Sequence, residues 1–285
     1  MVPSFTCTSH EEACLYRSVL FGDGPGTMIV KRCFDRASMQ RLAALLQDKA
    51  SGQPQYVNAK HPLQNGKRIL PAALECMSEV DPALALTILS NSKLNTVLDA
   101  VLGHAYIASL TGHTRFPGAS QQRFPSHIYN GKIWGNDREK FKNQSISPQS
   151  SAIQALIAPV KIGQSNGGTL LVQASHRVPD IDLVVHEPCL QRVTKEGECS
   201  MLVCPDLEPG DVLLFNRGIA HCGGANTTAE PRPVLIGQWS SFYITPHHAF
   251  DTETILYNVQ PCQKHDVSLS DFVSRVLRPF PVVNR

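Results

Sequence analysis

From about residue 105 onward the sequence is a succession of short β-prone runs with no helical stretch between them, and this feature most limits the fold. The runs "AYIASLTGHTRF", "SAIQALIAPVKI", "GTLLVQASH", "GDVLLFNRGIAH" and "RPVLIGQWSSFY" concentrate β-branched, aromatic and aliphatic residues. Between them stand "GQSNGG", "LEPG" and "CGGANTTAEP", with Gly, Pro and Asn where the chain must reverse. A parallel sheet needs crossovers of a dozen residues or more, usually helical, and none is present. The pattern predicts a mainly β, antiparallel sandwich or roll over 105–245.

The first third reads mainly helical. Asp35 is placed to cap a helix over 35–50 that puts Met39, Leu42, Leu45 and Leu46 on one face, the face expected to pack outside the larger sheet. Residues 81–103 hold two short helical pieces, with Gly103 as a C-cap. The stretch 51–71 is turn-rich and reads as a loop, and 130–151 reads as a second, long polar loop. The expected organisation is one domain over 1–285: a helical flank (1–104), a β core (105–245) and a C-terminal extension (246–285).

Composition removes several classes of function. The net charge is +2, and no Lys/Arg run exceeds two residues, which argues against nucleic acid and anionic membrane as partners. No apolar stretch approaches the roughly 18 residues of a membrane span, and the N-terminus has no signal-like apolar segment, so the expected location is cytoplasmic. The nine cysteines are scattered without a C-x-x-C pair, the pattern of reduced packing thiols. Cys222, which follows His221, is expected to be one of these, a small buried residue.

Two stretches carry the chemistry. "NGGTLLVQASHR" (166–177) is a glycine turn, a strand and Ser-His-Arg; "EPGDVLLFNRGIAHCGGANTTAEPRPVLIGQW" (208–239) is a strand leading to His221, a Gly/Asn loop, and Arg232 entering the next strand. In their order and spacing these resemble the phytanoyl-CoA dioxygenase (PhyH) family of Fe(II)- and 2-oxoglutarate-dependent oxygenases, and most of all its fungal members in meroterpenoid biosynthesis. The resemblance covers roughly 18–245. It implies a double-stranded β-helix (a cupin-like jelly roll) with N-terminal flanking helices.

Such oxygenases hold iron with two imidazoles and one carboxylate on one face of the metal. The first His and the Asp come as His-x-Asp from one strand, where period-2 alternation aims both the same way. By resemblance, His221 is the distal His and Arg232 the arginine that pairs with the far carboxylate of 2-oxoglutarate. Thr169 and Gln122 are implied beside the co-substrate. Read from the residues alone, His221 serves equally as a turn histidine and Arg232 as half of a surface ion pair.

The family stretch P-G-x-x-x-Q-x-x-H-x-D, laid on "PGASQQRFPSH" (117–127), matches Pro117, Gly118 and Gln122. It then puts Pro125 at the His position and His127 at the Asp position. Sliding by two makes His127 the first ligand but leaves Tyr129 for the Asp. No His-x-Asp occurs anywhere in the chain. Proline has no donor atom, and a site of His127 and His221 alone lacks an anionic ligand. The halogenase solution, a small residue that admits chloride, is not available with His or Tyr at that place.

Three functions follow from this broken motif. One is a catalytically silent member that forms a heterodimer with an intact homologous dioxygenase acting on a terpenoid-type small molecule, with a homodimer as the alternative assembly. Another is an active dioxygenase with an unconventional site made of His127, His221 and a carboxylate such as Asp137. The last is a metal-free isomerase or cyclase using His127 or His221 as acid or base. The cofactors implied by the family resemblance are Fe(II) and 2-oxoglutarate, with binding by this chain in question.

Overall fold

The strand-prone runs close into two facing sheets. The computed structural model describes residues 4–5, 10–49, 66–122, 152–177, 202–241 and 252–259. In chain order its strands are β1 (Ser4–Phe5), β2 (Thr27–Val30), β3 (Lys67–Leu70), β4 (Tyr106–Arg115) and β5 (Ala152–Ile157). There follow β6 (Thr169–Val172), β7 (Leu202–Val203), β8 (Val212–Asn216), β9 (His221–Gly223) and β10 (Arg232–Ser240). The larger sheet runs β1-β2-β8-β5-β10-β4-β3, and the smaller runs β7-β6-β9. All pairings are antiparallel except β1 with β2. Leu171 of β6 packs in one cluster with Ile29, Leu156, Leu213, Phe215 and Val234 of the larger sheet, so the two sheets enclose a common interior. This is the jelly roll expected for 105–245.

The outer face of the larger sheet is covered by helices. These are α1 (His10–Phe21), α2 (Arg36–Ala44), α3 (Ala73–Val80), α4 (Pro82–Leu89), α5 (Ser92–Leu102) and α6 (Thr252–Val259). Asp35 caps α2 as expected: its side chain accepts from Ser38 N at 2.8 Å and Ser38 Oγ at 2.6 Å, and these bonds hold the carboxyl below its ordinary range. After Ala44 the helix widens into a π-helical turn over Leu45–Lys49. Met39, Leu42, Leu45 and Leu46 are all buried. The Leu46 carbonyl accepts from Thr114 Oγ1 at 3.1 Å, which seats this segment on the outside of β4. The 81–103 pieces are α4 and α5, and Gly103 ends α5 at φ 75°.

One expectation needs correction. The last part of the 51–71 "loop" is strand β3, which pairs with β4 from Lys67↔Arg115 to Leu70↔Gly112. Its turn-rich surroundings hid it, because an edge strand is stabilised by a partner distant in sequence rather than by local pattern. The mainly helical 1–104 flank also supplies β1, β2 and β3 to the larger sheet. The 130–151 loop lies outside the described residues. Among those described, no helix is long and apolar enough to cross a membrane.

Candidate functional site

Register decides which side chains enter the space between the sheets. In β10, Val234 packs into the inner cluster whereas Leu235 packs outward with the helices. By alternation Arg232 points inward with Val234. Arg232 pairs in register with Arg115, and Arg115 with Lys67. Three cations therefore stand side by side on β10, β4 and β3, at the same end of the inner face. They are nearly sealed from solvent, with relative exposures of 3% for Arg232, 1% for Arg115 and 6% for Lys67.

The smaller sheet lies over this row. A Cβ at Gly223 would stand 2.8 Å from Arg115 Nη1 and 2.9 Å from Gln122 Oε1. A Cβ at Gly167 would stand 3.1 Å from Arg115 Nε, and Gly167 itself has φ +84°. The positive φ favours glycine at 167, and a side chain at either place would crowd the Arg115 guanidinium. Gln122 is tied to the same strand, its backbone N donating to Gly223 O and its Oε1 accepting from Gly223 N, each at 2.9 Å. Thr169 is the register partner of Gly223. Arg232 donates from Nη2 to the Gly167 carbonyl, and Arg115 donates from Nη2 to the Ser120 carbonyl.

His221 sits two residues before Gly223 on β9 and so faces the same interior. Its Nδ1 donates to the Ile219 carbonyl at 2.8 Å, which sets the tautomer with the lone pair on Nε2. The ring meets Phe215 of β8 edge-on, with centroids 4.8 Å apart. Ser175 Oγ accepts from Ala220 N at 2.8 Å and fixes the entry to β9. Cys222 points the other way, buried with Val172 and Ala220. The loop from β9 to β10 is organised by Asn226, whose side chain donates to the carbonyls of Arg115 (3.1 Å) and Glu230 (2.9 Å).

The structure places Gln122, Thr169, His221 and Arg232, which the family resemblance singled out, on the facing inner surfaces of the two sheets. Pro125, His127 and Asp137 lie outside the described residues. Arg115 and Lys67 were missed. Arg115 stands at the end of a β-prone run, and only the β4–β10 register reveals that it lies opposite Arg232.

The electrostatics of the row are unbalanced. Burial pushes Lys67 down to about 8, with Arg115 and Arg232 adding repulsion. Burial, then the charge of Arg115, pushes Arg232 down to about 9; Arg115 is lowered by burial as well. The nearby thiols do not neutralise them, since burial raises Cys222 to about 12 and Cys204 to about 11. Unit charges on neighbouring strands, about 5 Å apart, repel by roughly 3 kcal/mol at an effective dielectric of about 20. The described ion pairs, Lys31–Asp211, Arg41–Asp81 and Lys161–Glu208, all lie elsewhere. Nε and Nη1 of Arg115 and Nε of Arg232 are buried donors with no acceptor among the described residues.

The cation row suits a carboxylate ligand, and the described residues by themselves do not supply an iron site. The cation row, flanked by Thr169 and Gln122, has the charge and open donors that an organic acid such as 2-oxoglutarate requires. A facial triad requires a second imidazole and a carboxylate in alternate spacing, and the sequence contains no His-x-Asp. Among the described residues no group of three or more His, Cys, Asp or Glu could hold a metal ion.

Comparison with known proteins agrees with this architecture. The chain is similar to HygX from Streptomyces hygroscopicus, solved with nickel and 2-oxoglutarate bound: TM-score 0.57, 15% identity, covering 87% of this chain and 92% of that one. It is similar to EctD from S. alaskensis, solved with bound Fe: TM-score 0.59, 18% identity, covering 84% and 80%. At these identities the likeness is one of fold. In sequence, the iron/alpha-ketoglutarate-dependent dioxygenase penM of Penicillium thymicola is 31% identical over 97 residues, 34% of this chain and 27% of that protein. The match thus spans about a quarter of that relative's length. The family model for phytanoyl-CoA dioxygenase (PhyH) matches residues 23–234, well over half of the chain. With its jelly roll and its inward His221 and Arg232, the chain belongs to the PhyH family of Fe(II)- and 2-oxoglutarate-dependent dioxygenases.

Proposed function

We propose that this chain is a catalytically silent member of its family and works as the partner subunit of a homologous, intact dioxygenase in fungal natural-product biosynthesis. The observation that carries this reading is the missing His-x-Asp in a chain that otherwise keeps the jelly roll and its cleft. The partner would act on a terpenoid-type small molecule, the class implied by the sequence resemblance to fungal members of the family. This chain would stabilise the partner or shape its pocket. A durable heterodimer of this kind buries more than about 1,500 Å² with an apolar centre.

The test is co-expression with an intact homologue, followed by size exclusion and activity measurements on each chain alone and together. Co-elution, with activity or solubility of the homologue dependent on this chain, is the expected result. Separate elution, with full activity of the homologue alone, defeats the reading, and a homodimer of this chain under those conditions replaces it.

One observation favours a second reading. Gln122, Thr169 and Arg232 remain grouped around β9, which suits a chain that still turns over 2-oxoglutarate with an unconventional metal site. Stoichiometric iron after anaerobic reconstitution, with consumption of 2-oxoglutarate by this chain alone, distinguishes that reading from the first.

A further inference from the structure

We propose that the inner face along β4, β5 and β10 forms a binding cleft for an uncharged small molecule that carries a carbonyl or hydroxyl on an apolar frame, anchored by the Gln238 amide. The inference concerns this chain alone and stands apart from both the partner role and the cation row.

Register places the anchor. Gln238 of β10 lies between Gln154 of β5 and Ser109 of β4, and Gln154 lies beside Phe215 of β8. Residues directly opposite each other on paired strands share a face. Phe215 packs with Leu171 of the smaller sheet, so this row faces the interior. The next residue along β10, Trp239, packs outward with the helices.

Exposure shows where the interior is open. Leu213 and Phe215, which pack against the smaller sheet, are sealed at 1% and 0%. On β4, Ser109, Thr111 and His113 are half-buried, while Leu110, Gly112 and Thr114 between and beyond them are buried. On β10, Ile236 and Gln238 are half-buried between buried Leu235, Gly237 and Trp239, and Gln154 of β5 repeats the pattern between Ile153 and Ala155. The open residues are those of the inner face. Three strands lie over seven, and among the described residues this is the part they leave uncovered.

The lining selects the ligand. Gln238 Nε2 is a buried donor with no acceptor among the described residues. An unpaired group of this kind costs about 1–3 kcal/mol, which a ligand oxygen would offset. A primary amide both donates and accepts, so it reads a carbonyl or a hydroxyl and needs no charge. Thr111 is already engaged, its Oγ1 standing 3.2 Å from His113 Nε2 and 3.4 Å from the Ile236 carbonyl. It therefore walls the cleft with Ile236 and leaves orientation to the amide. No Asp, Glu, Lys or Arg stands in this row. Arg232 opens the other end of β10, roughly 20 Å away at about 3.3 Å per residue. An anionic group beside Gln238 would have no counter-charge.

The experiment is a saturation-transfer NMR titration of the full chain, in EDTA, with three probes that share one bicyclic frame: camphor (a ketone), borneol (an alcohol) and bornane (neither). Camphor and borneol should bind, with bornane at least tenfold weaker. Gln238→Leu, which keeps the bulk of the side chain and removes the amide, should weaken camphor at least fivefold and leave bornane unchanged, while circular dichroism shows the variant folded. Should Gln238→Leu not fold, Gln154→Leu, with a threefold loss expected, and the order of the three probes decide. No binding of camphor or borneol, bornane equal to either, or a folded Gln238→Leu with unchanged camphor affinity would each overturn the proposal. Camphor binding by a chain that does not co-elute with an intact homologue would defeat the partner role and leave the cleft standing; co-elution without camphor binding would do the reverse.

Discussion

The two faces of the larger sheet are made by the same strands and obey opposite rules. On the outer face, Leu110, Ile153, Leu214, Leu235 and Trp239 pack with α1 to α5 and are essentially without solvent exposure. Their energetics are those of apolar burial and close packing, which need no partner from outside the chain. On the inner face, one residue along each strand, the same backbone presents Arg115, Arg232 and Lys67, buried and uncompensated. Uncompensated buried charge costs stability, and a fold tolerates it where a ligand arrives to meet it. The outer face makes the sheet stable, and part of that stability is spent on the cleft.

The contrast breaks most visibly with Trp239→Ala on the outer face. Removing this 1%-exposed indole should cost about 3–5 kcal/mol, measured as a shift in urea midpoint, with 2-oxoglutarate affinity of the folded fraction unchanged. A fall in affinity as large as the fall in stability would show that the faces are not independent.

The inner face should show itself in pH dependence. Lys67 is lowered to about 8 in the fold, so above that pH the unfolded chain binds more protons and stability rises with pH. The buried thiols, whose proton the fold retains, act in the opposite direction as pH passes their ordinary value near 9. The Lys67 contribution is therefore read as a difference: from about pH 8 to 9 the stability of the unmodified chain relative to Lys67→Met should rise by about 1 kcal/mol. A difference that stays flat would mean that Lys67 finds a counter-charge in solution.

The smallest effect is expected from Gly223→Ala. Its new Cβ meets only the ends of the Arg115 and Gln122 side chains, so stability should change by less than about 1 kcal/mol. Affinity for 2-oxoglutarate should nevertheless fall severalfold, because Arg115 must move. Titration beside a urea curve separates the two quantities; equal loss in both would place Gly223 with the packing residues.

Much of this was legible in order along the chain. The absence of helices between β-prone runs specifies antiparallel sheets, and the Asp35 cap, the buried face of Met39 and Leu42, and the Gly103 stop are local chemistry that any tertiary setting would respect. His221 and Arg232 were singled out because the one segment that carries both resembles the family's motif. The missing His-x-Asp is likewise a property of the sequence alone, since no fold gives proline a donor atom.

What only the tertiary structure decided depends on register between distant strands. Lys67 lay in a stretch that looked like loop, and became an inner-face cation because β3 completes the edge of β4. Arg115 and Arg232 are more than a hundred positions apart, and shifting β10 by one residue against β4 would point one of them outward. Local pattern tells which residues alternate, but not which alternation meets which. That is set by the pairing of β4 with β10, the hydrophobic outer face that locks it, and Gly223 of the smaller sheet with Gly167 of the turn before it, which leave room for a guanidinium.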